Sequence, residues 1–209
     1  MCDFVQIQSA NLRHQDLVVV VYLWNEDKWS HQNLHIFARP SKNVSAKNDY
    51  HFVASAFSDV VFPFLLEKRV TRLELWSDGC RKHFKCRQLI HWWGKIHAEG
   101  LIPATLTMQG NYFASNHGPG PADAAGAQFL SKVERHELNY NYAFQSLEDM
   151  VSTIKLDNSQ VFLIERRENL ATCQDRLAPG IKLSHYHHWK AVKEGEITKI
   201  VLSRMTNID

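Results

Sequence analysis

LELWSDGCRKHFKCRQ, residues 73–88, decides how this chain is read. Leu73–Trp76 has strand character and runs into Ser77-Asp78-Gly79. A basic helix is expected from Arg81 to Ala98, with Phe84, Leu89, Trp92, Trp93 and Ile96 on one face and Gly100 as its stop. A carboxylate leaving a buried strand beside Arg81, Lys82, Lys85 and Arg87 suits a divalent ion next to a phosphodiester backbone. The plainer reading is an Asp-Gly turn.

Working outward, the segments before this stretch read as successive strands: Cys2–Gln8, the valine-rich Leu17–Trp24, Asn33–Ala38 and His51–Phe57. Val60–Lys68 reads as a helix with Pro63 in its first turn. After the stretch come a strand at Ala104–Met108, the loop HGPGP (117–121) and a helix at Ala122–Glu137. A helix at 146–155 follows, with Ser146 and Asp149 at capping-box spacing. Strands at Val161–Glu165, His185–Val192 and Ile197–Leu202 complete the pattern. Strands in succession followed by alternating helix and strand predict a mixed α/β fold, with helices on the faces of a central mixed sheet. Residues 1–145 are expected to form the core and 146–209 an accessory helix and strands packed on it.

The chain has 209 residues, 44% hydrophobic and 22% charged, enough for a substantial core. A formal net charge of +2 neither demands nor excludes nucleic acid, so only local charge can argue for it. No apolar run approaches the roughly 18 residues of a membrane span. MCDFVQIQ lacks the regions of a signal peptide. The expected setting is therefore nuclear or cytoplasmic, with Cys2, Cys80, Cys86 and Cys173 as reduced thiols. Met1 directly precedes strand-like sequence, which leaves open that the chain is a fragment of a longer one.

Three aspartates stand where elements start or end: Asp3 in the first strand, Asp78 beyond a central strand and Asp123 at a helix start. Converging carboxylates stay ionised together only when cations neutralise them. Oxygen ligands favour Mg²⁺ or Mn²⁺, and a pair of such ions activates a water or a 3′-hydroxyl for in-line attack at phosphorus. The plainer reading makes Asp123 a helix cap.

Four segments, in order, carry a resemblance: CDFVQIQ, HQDLVVVVYLWNEDKWSHQNLHIF, WSDGCRKHFKCR and NYFASNHGPGPADAAGA. Together with IKLSHYHHWKAVKEGEITKIVLSRM at the end, they resemble uncharacterised transposon-derived proteins with an RNase H-like, DDE-transposase-type core. The resemblance implies an RNase H-like sheet and metal-dependent cleavage or strand transfer on nucleic acid, DNA above RNA, by a chain acting alone, as a homo-oligomer or in a larger complex. It makes Asp3 the first acid, Asp78 the second and Asp123 the third, with Glu134 or Glu137 as alternatives for the last. It makes His117 a phosphate contact or loop brace. Pro119 stands where that pattern has lysine, Ala122 where it has cysteine and Ala124 where it has glycine; the basic stretch lacks its glutamine and asparagine. A catalytically inactive copy that binds nucleic acid or a protein partner is the alternative. A proofreading-type exonuclease fits less well, since Val5 stands where those enzymes carry glutamate.

HYHHW (185–189) reads as a polar strand face, without partners at zinc-ligand spacing. Cys80 and Cys86 with His83 between them have a C-x5-C spacing that matches no familiar zinc module, which favours buried structural thiols. Trp92 and Trp93 are expected in the core, and Trp24 and Trp29 likewise, before base stacking is invoked. No Walker loop, dinucleotide fingerprint or serine elbow is present.

Overall fold

The computed structural model describes residues 1–8, 13–25, 27–39, 49–113, 120–170, 181–194 and 197–204. It shows a mixed α/β chain that divides into two compact units, 1–46 with 118–165 and 47–117 with 166–209. His117 and Cys173 lie outside the described residues. Among the described residues no helix is long and apolar enough to cross a membrane.

The first unit is built on a meander. Strands β1 (Cys2–Gln8), β2 (Arg13–Asn25) and β3 (Lys28–Ala38) pair antiparallel in turn. Strands β2 and β3 pair up to Asn25 and Lys28, and Asp27 adopts the left-handed region (φ 70°). Strand β6 (Ser159–Ile164) runs parallel to β3 at the other edge. Helix α4 (Pro121–Tyr140) packs on β1 and β2. Its small residues Ala122 and Ala125 meet Val18 and Val20, because close approach of helix to sheet needs small side chains there. Phe129 and Val133 continue the contact into a cluster with Phe37, Phe144, Leu147, Met150 and Ile154. Helix α5 (Leu147–Thr153) begins as expected, with the Ser146 hydroxyl accepting from Asp149 N at 3.1 Å.

In the second unit β4 (Arg72–Ser77) and β5 (Thr107–Tyr112) are parallel, as a helical crossover demands. That crossover is α3 (Arg87–Lys95). Strands β7 (His188–Glu194) and β8 (Ile197–Ser203) extend the sheet antiparallel from β5. The segment after 146 is thus shared, with α5 and β6 in the first unit and β7 and β8 in the second.

The stretch 51–57, expected as a strand, is helical: α1 (Tyr50–Ala56) passes through a π-helical turn at Phe57–Val61 into α2 (Phe62–Glu67). Asp49 caps it, its Oδ1 accepting from His51 N and Phe52 N. Phe52 through Phe57 are all buried, so the segment carries no helical period and mimics a buried strand. Phe57, Phe62, Trp92, Trp93 and Trp189 interlock beneath α1–α3, and Trp92 and Trp93 are core residues as expected. Trp24 and Trp29 are instead exposed, paired at 5.1 Å near the tip of the β2–β3 hairpin. Helix α3 starts at Arg87 rather than Arg81, because Cys80–Lys85 form a separate turn. Strand β5 starts at Thr107 rather than Ala104, and β7 at His188 rather than His185.

Candidate metal centre at the end of β4

Strand β4 ends at Ser77, where Phe113 N donates to Ser77 O at 3.0 Å. Asp78 is therefore the first residue free of the ladder. The chain then folds over Cys80: its carbonyl accepts from His83 N (3.3 Å), Phe84 N (3.1 Å) and Lys85 N (3.0 Å). A turn of this kind stacks residues three apart on one side. It sets His83 beside Cys80, and both beside Asp78. One ligand atom from each of Asp78, Cys80 and His83 lies within 4.8 Å of the other two, and all three residues are half-buried.

The turn is tied down on two sides. Tyr112 Oη, at the end of β5, donates to Phe84 O at 3.1 Å, and Tyr50 N donates to Lys82 O at 3.1 Å. Phe84 is buried beneath. The Lys85 side chain is also buried, its ammonium 5.0 Å from the centre of the Tyr112 ring. Burial, and then the charge of Arg81, lower the Lys85 pKa. Burial likewise lowers that of His83, with Asp78 opposing. The Cys86 thiol starts α3 and is pushed up to about 11 by burial.

The neighbouring carboxylate, Asp49, is engaged elsewhere. Arg166 holds both its oxygens, Nε at 3.1 Å and Nη2 at 2.5 Å, and Arg166 also reaches Glu168 at 2.7 Å.

The expected site residues are placed as follows. Asp3 is in β1, in register with Val18. Asp123 is in the first turn of α4, where Oδ2 accepts from Gly120 N at 2.7 Å, so it serves as a cap. Both belong to the first unit, whereas Asp78 belongs to the second. Glu134 and Glu137 stand about 16 and 21 Å further along α4 than Asp123, beside a shallow cleft with Tyr142. Arg81 and Lys82 are exposed on the turn, and Arg87 is half-buried at the start of α3. The structure thus gathers Asp78 with Cys80 and His83.

A family match spans residues 6–199 and carries the description Domain of unknown function (DUF8701). The chain belongs to the DUF8701 family. The match takes in Asp78, Cys80, His83 and Asp123 and begins after Asp3. No curated protein and no solved structure matches this DUF8701 chain.

Two features of this DUF8701 chain were not legible beforehand. Asp16 and His35 are fully buried under α4, joined at 2.5 Å between Asp16 Oδ2 and His35 Nδ1, with Ile36 N donating to Asp16 Oδ1 at 3.0 Å. Across β4, β5 and β7, Glu74 Oε1 accepts from Asn111 Nδ2 at 3.1 Å, and Asn111 Oδ1 faces His188 Nδ1 at 2.9 Å. Both depend on strand register, which no local motif encodes.

Proposed function

We propose that this chain is an RNase H-like domain that acts on nucleic acid, most simply DNA, in metal-dependent phosphodiester cleavage or strand transfer, inside the nucleus or cytoplasm. One observation carries the reading: Asp78 leaves the carboxyl end of β4, which runs parallel to β5 through a helical crossover. Carboxyl ends of parallel strands are where such sheets bind ligands. The antiparallel meander β1–β3 supports the same fold reading.

Mg²⁺ can be tested against the donors present. A hard ion wants oxygen ligands, and the cluster offers it the Asp78 carboxylate beside a thiol and an imidazole. Asp123 already accepts a capping bond. The donors gathered at Asp78 therefore do not make an oxygen-only seat for Mg²⁺. What the chain's own residues offer is a half-buried carboxylate at a strand end, with the exposed charges of Arg81 and Lys82 beside it to attract a phosphate backbone.

The capping role of Asp123 and the burial of Lys85 favour a second reading, a module that binds nucleic acid without cutting it. The deciding assay incubates the chain and Asp78→Asn with single- and double-stranded DNA and RNA, with Mg²⁺, Mn²⁺ or Zn²⁺ supplied in turn. Cleavage by the native chain, lost in Asp78→Asn, supports the enzyme. Salt-sensitive binding without cleavage supports the module. Cleavage that survives Asp78→Asn removes Asp78 from the chemistry.

A further inference from the structure

We propose that Asp78, Cys80 and His83 together bind a divalent transition-metal ion of the Zn²⁺ type, leaving a fourth position open to water or a substrate oxygen. The proposal shares Asp78 with the reading above and rests on that reading only in supposing that the occupied site serves phosphodiester chemistry.

The donor set argues for the ion. Thiolate and imidazole select zinc-like ions, whereas Mg²⁺ takes oxygen. Zinc distances of about 2.3 Å to sulfur and 2.0–2.2 Å to nitrogen and oxygen place tetrahedral ligands roughly 3.3–3.6 Å apart. The three donors already lie within 4.8 Å of one another, so closure needs about an ångström of side-chain movement. The backbone under two of them is fixed, because Cys80 and His83 sit on one turn closed by three N–H bonds to Cys80 O.

Charge argues the same way. Binding releases the Cys80 thiol proton to solvent. The resulting thiolate and the Asp78 carboxylate then cancel the charge of the ion. Asp49, the nearby carboxylate that could compete, is bound on both oxygens by Arg166. Three protein ligands with one position open is the pattern of catalytic zinc, whereas structural zinc sites close with four.

Cys86 is excluded. Its thiol is buried at the start of α3 and directed at His83 O, 3.8 Å away. The spacing that matters is Asp-x-Cys-x-x-His rather than C-x5-C.

The test is titration of the reduced, metal-free full chain with Co²⁺. One equivalent should produce a near-ultraviolet thiolate-to-cobalt charge-transfer band and strong four-coordinate visible bands, both bleached by Zn²⁺. Cys80→Ser should lose the charge-transfer band while keeping the native circular dichroism. Asp78→Asn and His83→Ala should each weaken binding by more than the roughly 10- to 100-fold that loss of an outer-shell partner costs. Cys86→Ser should behave as the native chain. Absence of the band in the native chain, or its survival in Cys80→Ser, overturns the proposal. Cobalt binding as described with no cleavage of any nucleic acid sinks the phosphodiester reading and leaves this site standing. Cleavage supported by Mg²⁺ without the cobalt band does the reverse.

Discussion

Gly110→Ala should destabilise the protein, and the sign of its effect should invert when Trp189 is removed. Gly110 on β5 pairs with Trp189 on β7, and the indole lies over the glycine. A Cβ there would stand 2.2 Å from Trp189 Cε2 and Nε1 and 2.5 Å from Cζ2. The ring has nowhere to go: it is 1% exposed and stacked on Trp93 at 5.5 Å with 14° between planes. Overpacking of this kind costs about 1–3 kcal/mol, against which alanine recovers about 0.5–1 kcal/mol over glycine in a strand. With so rigid a neighbour the upper end applies, and a net loss of about 2 kcal/mol is expected. Trp189→Ala alone should cost about 3–5 kcal/mol. In that background the clash is gone, so Gly110→Ala should be neutral or stabilise by about 0.5–1 kcal/mol. Urea unfolding of the four variants at 25 °C, followed by circular dichroism, yields the coupling directly. An equal cost in both backgrounds would show that β5 and β7 are not packed as described.

Two further outcomes follow from buried titratable groups. Burial raises the Asp16 pKa, against the opposing bonds from His35 and Ile36 N. Its stabilising contribution is then complete below the unfolded value and is lost as pH rises through the higher folded value. Asp16→Asn should therefore gain stability relative to the native chain as pH is raised from about 4, at no more than about 1.4 kcal/mol per pH unit; a flat or falling difference in unfolding free energy contradicts this. The Cys86 thiol, held at about 11 and 9% exposed, carries a thiolate fraction of roughly 10⁻³ at pH 8. Iodoacetamide should label it, by peptide mass mapping, only after urea is added, and equal labelling in the folded chain would refute its burial.

Local signals in the sequence located most elements. Alternation found β1, a valine run found the centre of β2, and Ser146 found the start of α5, because each is set by neighbours along the chain. Residues Phe52–Ala56 of helix α1 read as a strand because they are buried on every side, which erases the period of 3.6. The helix that the sequence places at Arg81 starts only at Arg87, because His83 N and Lys85 N, which a helix would aim at Gly79 O and Arg81 O, converge with Phe84 N on Cys80 O. At the site, Asp78 was recognisable as a carboxylate beyond a strand. In the sequence Cys80 and His83 read together with Cys86, whereas the fold brings Asp78 to them by a turn and buries Cys86. The Asp16–His35 pair needed the β2–β3 register and the cover of α4, and neither is written in any short motif.

The central claim about this site is that the turn after β4 binds a zinc-type ion. X-ray absorption at the zinc edge of the chain loaded with one equivalent of Zn²⁺ measures it most directly. One sulfur at about 2.3 Å, with the remaining ligands nitrogen or oxygen at about 2.0–2.2 Å, is the predicted shell, and the sulfur should vanish in Cys80→Ser. A shell of nitrogen and oxygen alone in the native chain would contradict it.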